Sequence, residues 1–161
     1  MSPGSFLRRA LVADVPALAA LEAACFTHPW TPAQIHEEVA RVPPDMVLVL
    51  EGPASPGGEP AGIRAYCSFR LVLDEMLVMN VAVDPGCRRH GLARRLLTFA
   101  LARAARAGAR RALLELRAGN REALALYESL GFRSLGLRRE YYGEPTEDAL
   151  VLAREPCTDE S

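Results

Sequence analysis

The sequence contains no lysine: all 19 basic residues are arginine, set against 20 acidic residues for a net charge of −1. That balance excludes a globally basic nucleic-acid binder, and the choice of arginine alone carries no functional weight. No apolar run approaches the roughly 18 residues that a membrane-crossing helix requires. Met1 to Arg9 offers only the apolar step Phe6-Leu7, with no apolar stretch leading to a cleavage site. Neither a signal peptide nor a membrane partner is expected, and a soluble, cytoplasmic protein is. The four cysteines, Cys25, Cys67, Cys87 and Cys157, form no C-x-x-C pair, and His28, His36 and His90 are not spaced to complete a zinc site. No metal is therefore expected. Disulfides do not suit a chain without an export signal, so the thiols read as structural or incidental. Cys87 is the exception to watch, since it falls just before a predicted helix start, where a thiol can be acidified. Neither G-x-x-x-x-G-K-[ST] nor G-x-G-x-x-G occurs, which removes the Walker loop and the dinucleotide fingerprint.

What is present is globular. Half of the 161 residues are hydrophobic and 24% are charged, a composition that supports one domain with one core. The expected domain runs over 1–155, with 156–161 as a short tail. Phe6 to Arg9 reads as a strand. Asp14 caps a helix carrying Leu18, Leu21 and Cys25 at helical spacing, with Pro16 in its first turn. Thr31-Pro32 starts a second helix that runs to about Arg41 and is stopped by Val42-Pro43-Pro44. Met46 to Glu51 is a strand, and Gly52 to Pro60, rich in Gly, Pro and Ser, is a loop of open role. Ala61 to Leu73 and Met76 to Val83 are longer strands. Leu92 to Ala107 is an amphipathic helix with Leu92, Leu96, Leu97, Ala100, Leu101 and Ala104 on one side, ended by Gly108. Arg111 to Arg117 is a strand, Asn120 to Leu130 a helix stopped by Gly131, and Phe132 to Arg139 and Glu147 to Arg154 are final strands. The order β-α-α-β-β-β-α-β-α-β-β, with a crossover between parallel strands over 76–117, predicts a mixed α/β sheet with helices on both faces.

The chemistry concentrates after Val83. Eight arginines and no acidic residue lie between Arg88 and Arg111, a local positive field suited to a polyanion, although an exposed arginine-rich helix face has the same composition. Asp84-Pro85-Gly86 turns the chain out of a strand, and Arg88 opens R-x-x-G-x-A at the head of the long helix. Gly91 and Ala93 permit close backbone approach, while the helix N-terminus with Arg88, Arg89 and Arg94 supplies positive charge. A diphosphate is the natural guest. Glu115 interrupts the run Leu113 to Leu116 and faces away from Leu114 and Leu116. It reads either as a general base, its pKa raised unless paired, or as an arginine-paired surface acid. Tyr127 shares a stripe with Leu124 and Leu130, so it reads as core with a hydroxyl at the rim. Asn120 is explained equally well as an N-cap.

The stretch from Asn80 to Phe132 resembles the GNAT N-acetyltransferase superfamily, whose coenzyme A signature is R/Q-x-x-G-x-G/A. The likeness extends over about 7–154 through H-P-W at His28 to Trp30, V-L-D-E at Val72 to Glu75 and N-V-A-V-D-P at Asn80 to Pro85. It continues with L-E-L-R-A-G-N at Leu114 to Asn120, A-L-Y-E-S-L-G-F at Ala125 to Phe132, R-R-E-Y-Y at Arg138 to Tyr142 and E-D-A at Glu147 to Ala149. The longer match resembles the bacterial branch that acetylates the N-terminal alanine of a small-subunit ribosomal protein. The resemblance implies a mostly antiparallel, twisted sheet of about seven strands and acetyl-CoA as co-substrate. It implies main-chain contacts to acetyl-CoA from Val81, Ala82 and Val83. Arg88, Arg89, His90, Gly91, Leu92, Ala93 and Arg94 would wrap the pyrophosphate, and Asn120 would also touch the cofactor. Glu115 matches the proton acceptor and Tyr127 the proton donor. Gly119 stands where the branch usually has Ser, and Ala93 where Gly is common. Trp30, Tyr141 and Tyr142 would flank the entrance for an acceptor N-terminus, though aromatic residues there also suit core or lid packing. Acetylation of a lysine side chain or a small amine, or non-catalytic acyl-CoA binding, are the competing functions.

Overall fold

The computed structural model describes residues 6–42, 46–54, 58, 61–143 and 146–157. Its strands are β1 (Phe6–Arg9), β2 (Met46–Gly52), β3 (Gly62–Val72), β4 (Glu75–Val83), β5 (Arg111–Arg117), β6 (Arg133–Tyr142) and β7 (Glu147–Arg154). Its α-helices are α1 (Val15–Cys25), α2 (Pro32–Ala40), α3 (Leu92–Arg106) and α4 (Arg121–Ser129). The strands form one seven-stranded sheet in the order β1-β2-β3-β4-β5-β7-β6. The pairs β1–β2, β2–β3, β5–β7 and β6–β7 are antiparallel, and β4–β5 is parallel. This is the mixed, mostly antiparallel α/β sheet that the resemblance implied, in the element order read from the sequence. Most of the Gly52 to Pro60 loop, and Pro43-Pro44 after α2, lie outside the described residues.

The chain divides into two compact units: Met1–Arg70 with Met79–Ala100, and Leu71–Val78 with Leu101–Ser161. In the first, β2 is buried almost throughout, with Val49 at 0% exposure, as its unbroken apolar run requires of a central strand. Leu18 and Leu21 of α1 and Ile35 and Val39 of α2 pack with Val47, Val49 and Tyr66. Each such aliphatic side chain contributes about 1.5–3 kcal/mol by leaving water. Thr31 and Gln34 cap α2 reciprocally: Gln34 N donates to Thr31 Oγ1 at 3.2 Å and Thr31 N to Gln34 Oε1 at 2.8 Å. Asp14 departs from expectation. It precedes α1, but its carboxylate caps no helical N–H. It accepts instead from Arg8 Nη1 at 2.8 Å and from Leu11 N at 2.7 Å, because a 3₁₀ turn over Val12–Asp14 leads into the helix.

In the second unit, Glu75, Met76 and Leu77 of β4 pair in parallel with Arg111, Ala112 and Leu113 of β5, completing the predicted crossover. Ala112, Leu114 and Leu116 are buried and the residues between them are not. The strand therefore turns Glu115 to its other face. α4 starts at Asn120, whose side chain accepts from Ala123 N at 3.1 Å. β6 is longer than expected, because pairing with β7 resumes at Tyr142–Glu147 after a register shift beyond Arg138. Cys157, expected in a tail, is 1% exposed, and its N–H donates to Arg110 O at 2.8 Å.

Candidate active site

The residues that the sequence singles out fall into two main groups, one in each unit. The first lies between β4 and α3. Ala82 turns into the core at 3% exposure, leaving Val81 and Val83 half-buried on the other side of the strand. Asp84 then makes the turn, its N–H donating to Arg64 O at 2.8 Å and its Oδ1 accepting from Gly86 N at 2.9 Å. A 3₁₀ turn over Pro85–Cys87 follows. Cys87, expected just before the start of a helix, closes that turn and is separated from α3 by Arg88–Gly91.

Between the 3₁₀ turn and the helix the backbone is left-handed at Arg89 (φ 67°) and at Gly91 (φ 76°). A Cβ on Gly91 would meet nothing within 4 Å, so conformation rather than space calls for glycine there. At Arg89 the same conformation costs about 1–2 kcal/mol, strain of the kind stored at functional sites. Left-handed residues interspersed with ordinary ones turn backbone N–H groups into a concave cradle for anions, and the first α3 amides have no intrahelical partner. Arg95 N is the first to close on Gly91 O, at 3.0 Å. Arg88, Arg89, His90, Gly91 and Arg94 are exposed, Leu92 and Ala93 half-buried, and Arg88 Nε reaches back to Val83 O at 3.4 Å. The segment read from the sequence as a diphosphate site is thus left-handed at two residues, followed by a helix N-terminus and bordered by exposed arginines. Trp30, in the same unit, is half-buried and packs against its core.

The second group surrounds Glu115. Its side chain is 29% exposed, and Arg138 Nη1 of β6 lies 3.4 Å from Glu115 Oε1. The arginine-paired reading is thus realised in the ion pair itself. Tyr141 is hydrogen-bonded to the same carboxylate, which together with its charge pushes the Tyr141 phenol up. The register shift after Arg138 and a left-handed Glu140 (φ 49°), whose N–H donates to Asp148 Oδ1 at 2.8 Å, re-aim this end of β6. Tyr141 and Tyr142 meet edge to face at 5.2 Å, and Arg138 and Arg117 sit over their rings at 5.4 and 4.5 Å. Tyr142 is pushed up by burial first and then by the charge of Glu115.

Tyr127 on α4 is buried and meets Phe132 edge to face at 5.5 Å. Asn120 caps α4 as described, and the turn before it is held by Glu147, whose Oε2 accepts from Gly119 N at 2.6 Å. A Cβ at Gly119 would stand 2.7 Å from that oxygen, so a serine there would displace the Glu147 tip. Arg138 and Glu147 are the site-supporting residues that sequence reading does not single out. Both stand in segments that carry the resemblance, yet nothing local marks an arginine or glutamate on a strand as the partner of a residue on another.

Residues 15–132 match the Acetyltransferase (GNAT) family. The chain belongs to this family. Among curated GNAT relatives, the N-alpha-acetyltransferase RimI of Mycobacterium tuberculosis is 38% identical over 145 residues, covering 89% of this chain and 87% of that protein. The [ribosomal protein bS18]-alanine N-acetyltransferase of Escherichia coli (strain K12) is 43% identical over 95 residues, a match spanning 56% of this chain and 63% of that protein. The crystal structure of the ribosomal-protein-S18-alanine N-acetyltransferase from Escherichia coli has a TM-score of 0.81 at 30% identity, covering 98% of this chain and 96% of that one. The chain is accordingly an acetyltransferase with the GNAT fold. No helix among its described residues is long and apolar enough to cross a membrane.

Proposed function

We propose that this enzyme is an Nα-acetyltransferase that uses acetyl-CoA to acetylate the N-terminal alanine of ribosomal protein bS18. The observation that carries the reading is the cradle after Val83: left-handed at Arg89 and Gly91, headed by a helix N-terminus and flanked by arginines, it fits a diphosphate. The names borne by its relatives supply the acceptor. When bound, acetyl-CoA supplies the activated acyl carbon, which the acceptor amine attacks directly without an enzyme nucleophile.

An α-amine titrates at about 7.7–8.0, so near neutrality most of it is protonated and unreactive. Glu115 takes that proton through a water, its carboxylate held by Arg138 and the Tyr141 hydroxyl. The backbone N–H of Val81 or Val83 faces the oxygen on which charge develops, an interaction worth about 3 kcal/mol. Tyr127 donates its proton to the departing sulfur. Arg88 to Arg94 and Asn120 hold the coenzyme end, and Trp30, Tyr141 and Tyr142 flank an extended N-terminus with a small first residue. Residues 1–155 act as one acetyltransferase domain, working in the cytoplasm without nucleic acid or membrane. Mass spectrometry of the purified chain with acetyl-CoA tests the reading. An Ala-starting peptide from the bS18 N-terminus should gain one acetyl group, and the same peptide blocked at its α-amine but carrying lysine should gain none. Acetylation of the blocked peptide, or of neither, overturns it.

A further inference from the structure

Glu147 is an acid that the chemistry above leaves unused, and its carboxylate serves two other elements. It opens β7 opposite Tyr142, the last residue of β6. Its Oε2 accepts from Gly119 N at 2.6 Å, in the turn that leads from β5 to Asn120. Its Oε1 accepts from Nη1 of Arg117, the last residue of β5, at 3.4 Å. Arg117 in turn donates through Nη2 to Gly143 O at 3.1 Å, and its guanidinium stands 4.5 Å from the centre of the Tyr142 ring. The two ion-pair side chains are 31% and 28% exposed, and a pair that open to water adds little to stability. What the acid adds is therefore placement. The β6–β7 ladder loses its register between Arg138 and Tyr142, so regular pairing does not fix the Tyr142–Gly143 end of β6. The Gly119 turn, by contrast, is closed by Asn120 N on Arg117 O at 2.9 Å and offers a firm anchor.

We propose that Glu147 is a positioning residue on the acceptor side of acetyl transfer: anchored on the Gly119 amide, it holds Arg117 against the Tyr142–Gly143 end of β6. It acts through Arg117, by setting where the Tyr142 ring stands, and not by contact with the reacting atoms. Gly119 makes the link possible, because a Cβ there would stand 2.7 Å from Glu147 Oε2. The inference rests on the acceptor role given above to Tyr142.

Glu147→Gln is the discriminating change. It keeps the length of the side chain, but its one amide oxygen serves only one of the two donors, and the NH₂ group then meets the other, donor to donor. The variant is expected to raise KM for the Ala-starting peptide by about five- to tenfold, with kcat and KM for acetyl-CoA within about twofold of the parent. Gly119→Ala cuts the same link from its other end, since the added Cβ pushes the Glu147 tip off the amide and leaves the charge in place. It should move peptide KM in the same direction, and the two changes together should do no more than the larger one alone. Peptide KM as in the parent in Glu147→Gln, or effects that multiply in the double variant, overturns the proposal and leaves Glu147 a structural acid. Should Glu147→Gln fail to fold, hydrogen exchange in the parent decides. Gly119 is exposed, yet its amide is expected to exchange about tenfold or more slowly than an open one, and fast exchange overturns the proposal. A parent chain that does not acetylate the peptide refutes the bS18 reading, while exchange at Gly119 still judges the link through Glu147.

Discussion

In the proposed mechanism the cradle after Val83 and the group around Glu115 solve different problems with different materials. The cradle works through backbone: two left-handed residues, a helix N-terminus and several exposed arginines, none of which has to act alone. The Glu115 group works through side chains that each play a single part, with Arg138 set against the carboxylate and the Tyr141 hydroxyl bonded to it. A backbone device spreads its contribution over many amides and tolerates loss of any one charge. A side-chain device fails when a single atom is replaced. Binding and chemistry should therefore come apart under mutation.

The largest effect tests the side-chain half. Glu115→Gln is nearly isosteric and keeps the strand, and it should lower kcat by about 10²–10⁴ with KM for acetyl-CoA unchanged. Tyr127→Phe preserves the ring contact with Phe132 and should do the same in steady-state assays if the hydroxyl is the proton donor. Equal turnover in either variant removes that residue from its role and leaves the chemistry unassigned. The backbone half predicts the opposite pattern. Gly91→Ala forces a Cβ into φ 76° with empty space around it, so its effect is conformational, about 1–2 kcal/mol. KM for acetyl-CoA should rise about tenfold with kcat nearly intact. A loss confined to kcat would break the distinction.

How much is legible in the sequence follows the same division. The cradle is readable because its parts are contiguous: Asp84-Pro85-Gly86 turns the chain, Gly91 stands where a left-handed residue is needed, and the Leu92 helix announces itself by its period. Glu115 is readable because the alternation of β5 isolates it from Leu114 and Leu116. Its partners are not. Arg138 and Tyr141 reach it across strands that pair only in the fold, and the register shift that re-aims Tyr141 leaves no mark in R-R-E-Y-Y. The link through Glu147 is equally hidden. An acid at the start of a strand looks solvent-facing, since Arg117 and Gly119, which hold it, come 30 and 28 residues earlier.

The smallest effect sharpens the comparison without any assay of activity. The Tyr141 phenol is pushed above its ordinary value of 10.0, first by its hydrogen bond to Glu115 and then by the charge of that carboxylate. Because folding favours the neutral phenol, this contribution to stability is present below the unfolded value and is lost as pH rises through the raised folded one. Glu115→Gln removes the charge and weakens the hydrogen bond, so Tyr141, and to a smaller extent Tyr142, should ionise at lower pH in the variant, seen as earlier phenolate absorbance in an alkaline titration. Gly91→Ala, which touches only the backbone device, should leave that titration where it is in the parent. If Glu115→Gln also leaves it unmoved, Tyr141 is not bound to Glu115 in solution, and the side-chain group around Glu115 reduces to the Arg138 ion pair.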